Sequence, residues 1–230
     1  MAERPLSRPR GRPPKDQVGG REALLPAAMS AFARHGFAGA DLRGIAQAAG
    51  VSPNLIRVHF ASKTGLWMAC VDKLAEAMTP ALEVAAELAD SDPRPLTERL
   101  RDAVTLTSDY YDAFPDVRDF VLRIGADDDE RAAIVTEKIL RPAYEASRPL
   151  IAAGMEAGII RGAHPALVYV LLNSMLSQPP RFPEFIGRID AGIAPAQARS
   201  MLIETIIATL LHPPPDRGRA CPDSLKERQP

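Results

Sequence analysis

The sequence has little of what an enzyme, a secreted scaffold or a membrane protein needs. Two cysteines, Cys70 and Cys221, stand far apart in 230 residues, with no metal-ligand spacing around either. That excludes a disulfide framework and fits free thiols in a reducing compartment. No apolar run approaches the about eighteen residues needed to cross a bilayer. The charged N-terminus has no apolar core or cleavage site behind it, so it does not read as a signal peptide. The expectation is a cytoplasmic protein with no membrane partner. Acid–base pairs, nucleophile–histidine arrangements, metal spacings and a phosphate loop are all missing. No catalytic residue, metal or cofactor is therefore expected, and the enzyme class loses its support. Net charge is also nearly absent, at -1. That does not exclude nucleic acid, because the charge is unevenly spread.

Alternation of β-branched residues is scarce too, whereas alanine and leucine recur at helical spacing between glycines and prolines. The chain reads as all-α. A first helix covers about Arg21 to His35, with Leu25, Ala28, Met29 and Phe32 on one stripe, an awkward Pro26 inside, and Gly36 as its stop. Short helices follow at Leu42 to Ala48 and Pro53 to His59, and a long one from Ser62 to about Leu88. Asp90 to Pro95 breaks the pattern. Helices then cover Leu96 to Ala113 and Asp116 to Gly125. In the acidic run after them, Asp127 and Glu130 read as a helix N-cap rather than a metal site. Pro142 and Pro149 kink or split the next helix, which ends near Gly158. Pro165 to Ser177 is strongly apolar, Gln178 to Phe185 reads as a proline-rich loop, and Pro195 to His212 as a final amphipathic helix. The expected divisions are a disordered basic arm at 1–20, a DNA-binding unit at 21–66, a helical body at 67–212 and a disordered tail at 213–230.

The informative stretch is LRGIAQAAGVSPNLIRVHF, Leu42 to Phe60. Ala46 is small where two helices must approach. Gly50 stands where the first must end in a left-handed turn, a conformation glycine adopts at no steric cost. Ile45, Ala49, Val51 and Ile56 point inward, Ser52 caps the second helix, and Pro53 is preorganised at its first position. This is the helix-turn-helix pattern, whose second helix enters the DNA major groove.

With its flanks, R-EALL-AAMSAFARHGF before it and HFASKTGL after it, the segment Arg21 to Val71 resembles the DNA-binding domain of the tetracycline-repressor (TetR) family of bacterial transcription regulators. The resemblance covers about a quarter of the chain. It implies a three-helix DNA-binding domain followed by a larger helical domain for ligand binding and dimerisation. It also implies a homodimer on a two-fold operator in double-stranded DNA, acting as a repressor and released by a small-molecule effector. Two departures stand out. The family usually has tyrosine where this chain has Arg57, and Ser or Thr where it has Ala40 and Asp41. Asp41 still caps that helix, but its charge repels phosphate, which makes Arg43 the better DNA contact. Ser52, Pro53, Asn54 and Leu55 occupy the leading turn of the recognition helix, and Asn54 has the donor and acceptor that adenine needs. Arg57, His59 and Lys63 are expected on phosphates.

The chain opens with six bases against two acids between Met1 and Arg21. Within this stretch, Pro9-Arg10-Gly11-Arg12-Pro13 resembles the core of an AT-hook. Arg10, Gly11 and Arg12 would then lie extended in a narrow A·T minor groove next to the helix-turn-helix. The plain alternative is a solvated tail. For the whole protein, the alternative to a ligand-controlled regulator is an architectural protein that coats A·T-rich DNA.

The helical body offers only residue types. Val168 to Leu176 and Ala198 to Leu211 have the apolar character of an intersubunit four-helix bundle. Tyr110, Phe114, Phe120, Arg123, Met155, Asn173, Met175 and Phe182 are the candidate pocket residues. Asn173 is singled out because an amide in an apolar helix needs a partner, which a ligand or a second subunit can supply. Trp67 is expected to pack in the core.

Overall fold

The computed structural model describes residues 20–123, 129–178 and 181–212. Among them are eleven α-helices and no strand beyond one isolated bridge between Ile160 and Leu211. The fold is all-α: a three-helix N-terminal unit carries the helix-turn-helix, and a larger helical body follows. The N-terminal arm, with Arg10, Gly11 and Arg12, lies outside the described residues. So do Asp127 and the C-terminal tail.

Helix α1 runs Gly20–Gly39, with a kink at Gly36 (φ 69°, ψ 177°). Only glycine enters that region cheaply, so the expected stop appears as a sharp bend with one further turn beyond it. Pro26 sits inside α1 on its exposed side. Helices α2 (Leu42–Ala48) and α3 (Asn54–Phe60) form the motif. Helix α4 (Lys63–Asp90) starts at Ser62, whose hydroxyl accepts from the Gly65 amide at 3.0 Å. It is continuous through Leu66 and Trp67.

The body adds α5 (Leu96–Ala113), α6 (Pro115–Arg123), α7 (Asp129–Val135), α8 (Arg141–Glu156), α9 (Pro165–Leu176), α10 (Phe182–Ile189) and α11 (Pro195–Leu210). A wide π-turn, Thr136–Leu140, separates α7 from α8. The split falls just before Pro142, whose missing amide cannot continue an α ladder but is harmless in a first turn. Pro149 lies within α8. The stretch read as a loop from Gln178 to Phe185 is corrected in its second half, where α10 begins at Phe182. Pro183 falls in its first turn, where the missing amide costs no helix hydrogen bond.

The first core spans both units. Phe32, Ile45, Ile56, Leu66, Trp67 and Cys70 pack into one cluster with Val117 and Phe120 of α6 and Ile139 of the π-turn. Trp67 is buried and meets the Phe37 ring edge-on at 6.3 Å. Burial pushes the Cys70 thiol up to about 12, so it stays protonated and behaves as a small apolar filler. Two further clusters knit α5 to α8, α9 and α11.

Candidate nucleic-acid interface and internal cavity

The turn between α2 and α3 is fixed by backbone chemistry. The Val51 amide donates to the Ala46 carbonyl and the Gly50 amide to the Gln47 carbonyl, both at 3.0 Å. With Gly50 at φ +67°, this is a Schellman ending. At the other end of α2, Asp41 accepts from the amides of Gly44 (2.9 Å) and Arg43 (3.2 Å). Those bonds, Gly44 first, hold its carboxyl below the ordinary carboxylate value. Ser52 contributes differently from expectation. The cap residue of α3 is Pro53, which makes no side-chain cap. Ser52 serves through its carbonyl, which accepts from the Leu55 amide at 3.0 Å.

Once α3 is docked, its faces are sorted. Ile56 and Phe60 are buried, and Leu55 is half-buried against the same core. A methyl group added to Gly20 would stand 3.1 Å from Leu55, so α1 begins directly over it. Asn54, Arg57 and Val58 are exposed. Their spacing of i, i+3 and i+4 puts them on one side of the helix. Ser52 and Pro53, just before α3, and Arg43 of α2 are exposed as well. Val58, at 60% exposure, escaped the sequence reading. Once Ile56 and Phe60 are assigned inward, periodicity alone places Val58 outward.

Three residues expected at DNA also have neighbours within the chain. Leu55 packs inward. His59 is half-buried, and its Nε2 is shielded from solvent without a hydrogen-bond partner. Lys63 donates to the Ala38 carbonyl at 3.2 Å and lies 5.0 Å from the centre of the Phe37 ring. Its charge holds the end of α1 to the start of α4.

The body holds a cavity of about 120 Å³ between α4, α5, α8 and α9, lined as well by Val117 of α6 and by the end of α11. Of the eight pocket candidates, Tyr110 and Asn173 line it. The other six lie elsewhere. Phe114 is partly exposed and packs against the Tyr110 ring, and Phe120 is buried in the first core. Arg123 donates to the carbonyls of Ala33 and Arg34 in α1. Met155 packs in the second cluster and Met175 in the third. Phe182 begins α10. Asn173 has its partner within the chain: the Tyr111 hydroxyl donates to its Oδ1 at 2.6 Å, and its Nδ2 donates to the Tyr169 carbonyl at 2.9 Å. Among the described residues, no cluster of His, Cys, Asp or Glu could hold a metal, and no helix is long and apolar enough to cross a membrane.

The family model for bacterial regulatory proteins of the tetR family matches residues 24–70. The HTH-type transcriptional regulatory protein RaaS of Mycobacterium tuberculosis is 49% identical over 70 residues. That match covers 30% of this chain and 32% of RaaS, so the likeness spans about a third of the relative's length. Over most of the chain the likeness is one of fold. The hemolysin II transcriptional regulator HlyIIR superimposes with a TM-score of 0.64 at 18% identity, covering 86% of this chain and 99% of that one. The regulator FadR from Bacillus subtilis, solved with stearoyl-CoA, gives 0.57 at 14% identity, covering 82% and 98%.

Proposed function

Through residues 24–70 this chain belongs to the tetR family of bacterial regulatory proteins, and on that premise we propose that it is a repressor of transcription. It binds a two-fold DNA operator as a homodimer and is released by a small molecule held in the helical body. The observation that carries the DNA reading is the sorting of α3. Asn54, Arg57 and Val58 form an exposed polar-and-methyl face, while the opposite face is locked into the core. Asn54 pairs with adenine, Val58 meets a thymine methyl, and Arg57 takes a guanine edge or a phosphate. Arg43, Ser52 and Pro53 flank that face and set its register on the backbone.

Dimerisation is supported by apolar side chains left outside the core. Leu167, Val170 and Leu171 of α9 are each more than half exposed, and Met201 of α11 is also exposed. The i, i+3, i+4 spacing on α9 makes a stripe suited to a second copy. The working division is an arm at 1–20, a DNA-binding unit at 21–66, a sensing and dimerising body at 67–212 and a tail at 213–230. Arg10, Gly11 and Arg12 of the arm reach the neighbouring minor groove.

Footprinting tests this reading against the architectural one. A discrete palindrome is expected, bound by a species that light scattering reports as a dimer. Extended protection of A·T-rich DNA, with no preferred site, supports the architectural alternative.

A further inference from the structure

The residues around the cavity are chemically uniform in one respect: among the described residues, none that lines it is charged. A carboxylate, phosphate or ammonium group placed there would lose its water and gain no counter-charge, which disfavours binding of a charged ligand. The polar groups are few, and most are already engaged. Thr107 donates to the Ala103 carbonyl at 2.9 Å and Ser147 to the Ala143 carbonyl at 2.8 Å. Tyr111 and Asn173 satisfy each other at 2.6 Å, and the Tyr169 hydroxyl lies 3.4 Å from the Leu140 carbonyl. Tyr110 differs. Its ring lines the same cavity, and its hydroxyl is shut off from solvent with no hydrogen-bond partner. A buried hydroxyl left unpaired is costly, and such groups in native proteins call for an explanation. Burial pushes its ionisation up to about 12, so at neutral pH it holds its proton and is a donor.

We propose that the cavity takes a small, uncharged, largely apolar molecule bearing one hydrogen-bond acceptor, which the Tyr110 hydroxyl meets. The size follows from the volume. About 120 Å³ is close to that of engineered apolar cavities that take up a single aromatic ring. The proposal deepens the sensor reading above and rests on it for the word effector. Binding itself is measured without DNA, so the two can fail separately.

Three one-ring probes of nearly the same shape decide it: acetophenone, α-methylstyrene, which replaces the carbonyl oxygen by a methylene, and benzoate. Each is titrated by calorimetry into the full-length protein at pH 7.5, and into Tyr110→Phe. Acetophenone is expected to bind the wild type about three- to tenfold more tightly than α-methylstyrene, the worth of one neutral hydrogen bond. Benzoate is expected to bind at least tenfold more weakly than acetophenone. In Tyr110→Phe the advantage of acetophenone should vanish while α-methylstyrene binds as before, which also shows that the variant is folded. Benzoate binding as tightly as acetophenone overturns the proposal. So does an acetophenone advantage that survives in Tyr110→Phe, or failure of all three probes to bind. If acetophenone binds as expected but leaves operator affinity unchanged, the ligand class stands and its role as an effector falls.

Discussion

The Arg123 guanidinium, at the last residue of α6, donates to the Ala33 carbonyl of α1, ninety residues earlier in the chain. A second nitrogen of the same group donates to the Arg34 carbonyl. Both acceptors lie just before the Gly36 kink, where a cation and its N–H groups suit the negative end of a helix. Val117, six residues back on α6, lines the cavity. One short helix thus touches the cavity at one end and the DNA-binding unit at the other. Arg123→Ala is expected to destabilise the fold by only about 1–2 kcal/mol. Its larger effect should be on coupling: operator affinity without effector stays within a few-fold, whereas release by a bound effector is blunted. Titrating operator with and without effector, in variant and wild type, measures this as a change in coupling free energy.

Two glycines should respond in opposite directions to the same change. A methyl group on Gly65 would fall 2.0 Å from the Phe60 carbonyl oxygen, a backbone atom that cannot step aside. Gly65→Ala is therefore expected to cost about 1–3 kcal/mol or more. On Gly44 the nearest atom to the same methyl is Asp41 Oδ2, at an ordinary 3.4 Å, and the residue is helical. Gly44→Ala should stabilise by about 0.5–1 kcal/mol through chain entropy. Urea unfolding of both variants checks the pair.

The Asp41 cap predicts a pH dependence. Hydrogen bonds from the Gly44 and Arg43 amides hold its folded-state pKa below 3.8. A depressed carboxylate contributes stability above its unfolded value and loses it as pH falls through the folded value. The advantage of the wild type over Asp41→Ala should therefore be flat from neutrality down to about pH 5. It should shrink only as pH drops through and below the ordinary carboxylate range. Unfolding both proteins over that range gives the curve, and a gap that closes near pH 6 would point to another group.

On DNA, Asn54 and Lys63 should behave differently. Asn54→Ala is expected to cost about 1–3 kcal/mol on the operator and to relax preference at one position per half-site. Lys63 already holds the Ala38 carbonyl and the Phe37 ring. Lys63→Ala should therefore lower thermal stability and leave the salt dependence of binding nearly unchanged. A salt slope reduced by about one would instead assign it a phosphate.

Much of the fold was legible because it is set locally. The left-handed turn at Gly50, the bend at Gly36 and the break at Asp90 to Pro95 follow from single residues whose backbone preferences dominate. What the sequence concealed depends on which helix lies opposite. Asn173 looked like a group in need of a ligand because its partner, Tyr111, is 62 residues away. The cavity candidates favoured aromatics and methionines, yet the walls are mostly aliphatic residues of α4, α5, α8 and α9. Arg123 read as a pocket residue because nothing local reveals the α1 carbonyls it serves. His59 and Lys63 likewise have neighbours that spacing does not reveal: the start of α1 lies over one, and the Ala38 carbonyl accepts from the other.

The most direct test of the account is the DNA that the full-length protein enriches from a random pool. A discrete two-fold element is expected, with half-sites about one helical turn apart to match two recognition helices on a dimer. Its flanks should be A·T-rich if Arg10 and Arg12 enter the minor groove. Enrichment of A·T-rich DNA without a symmetric element, or of a lone half-site bound at full affinity by a monomer, would contradict it.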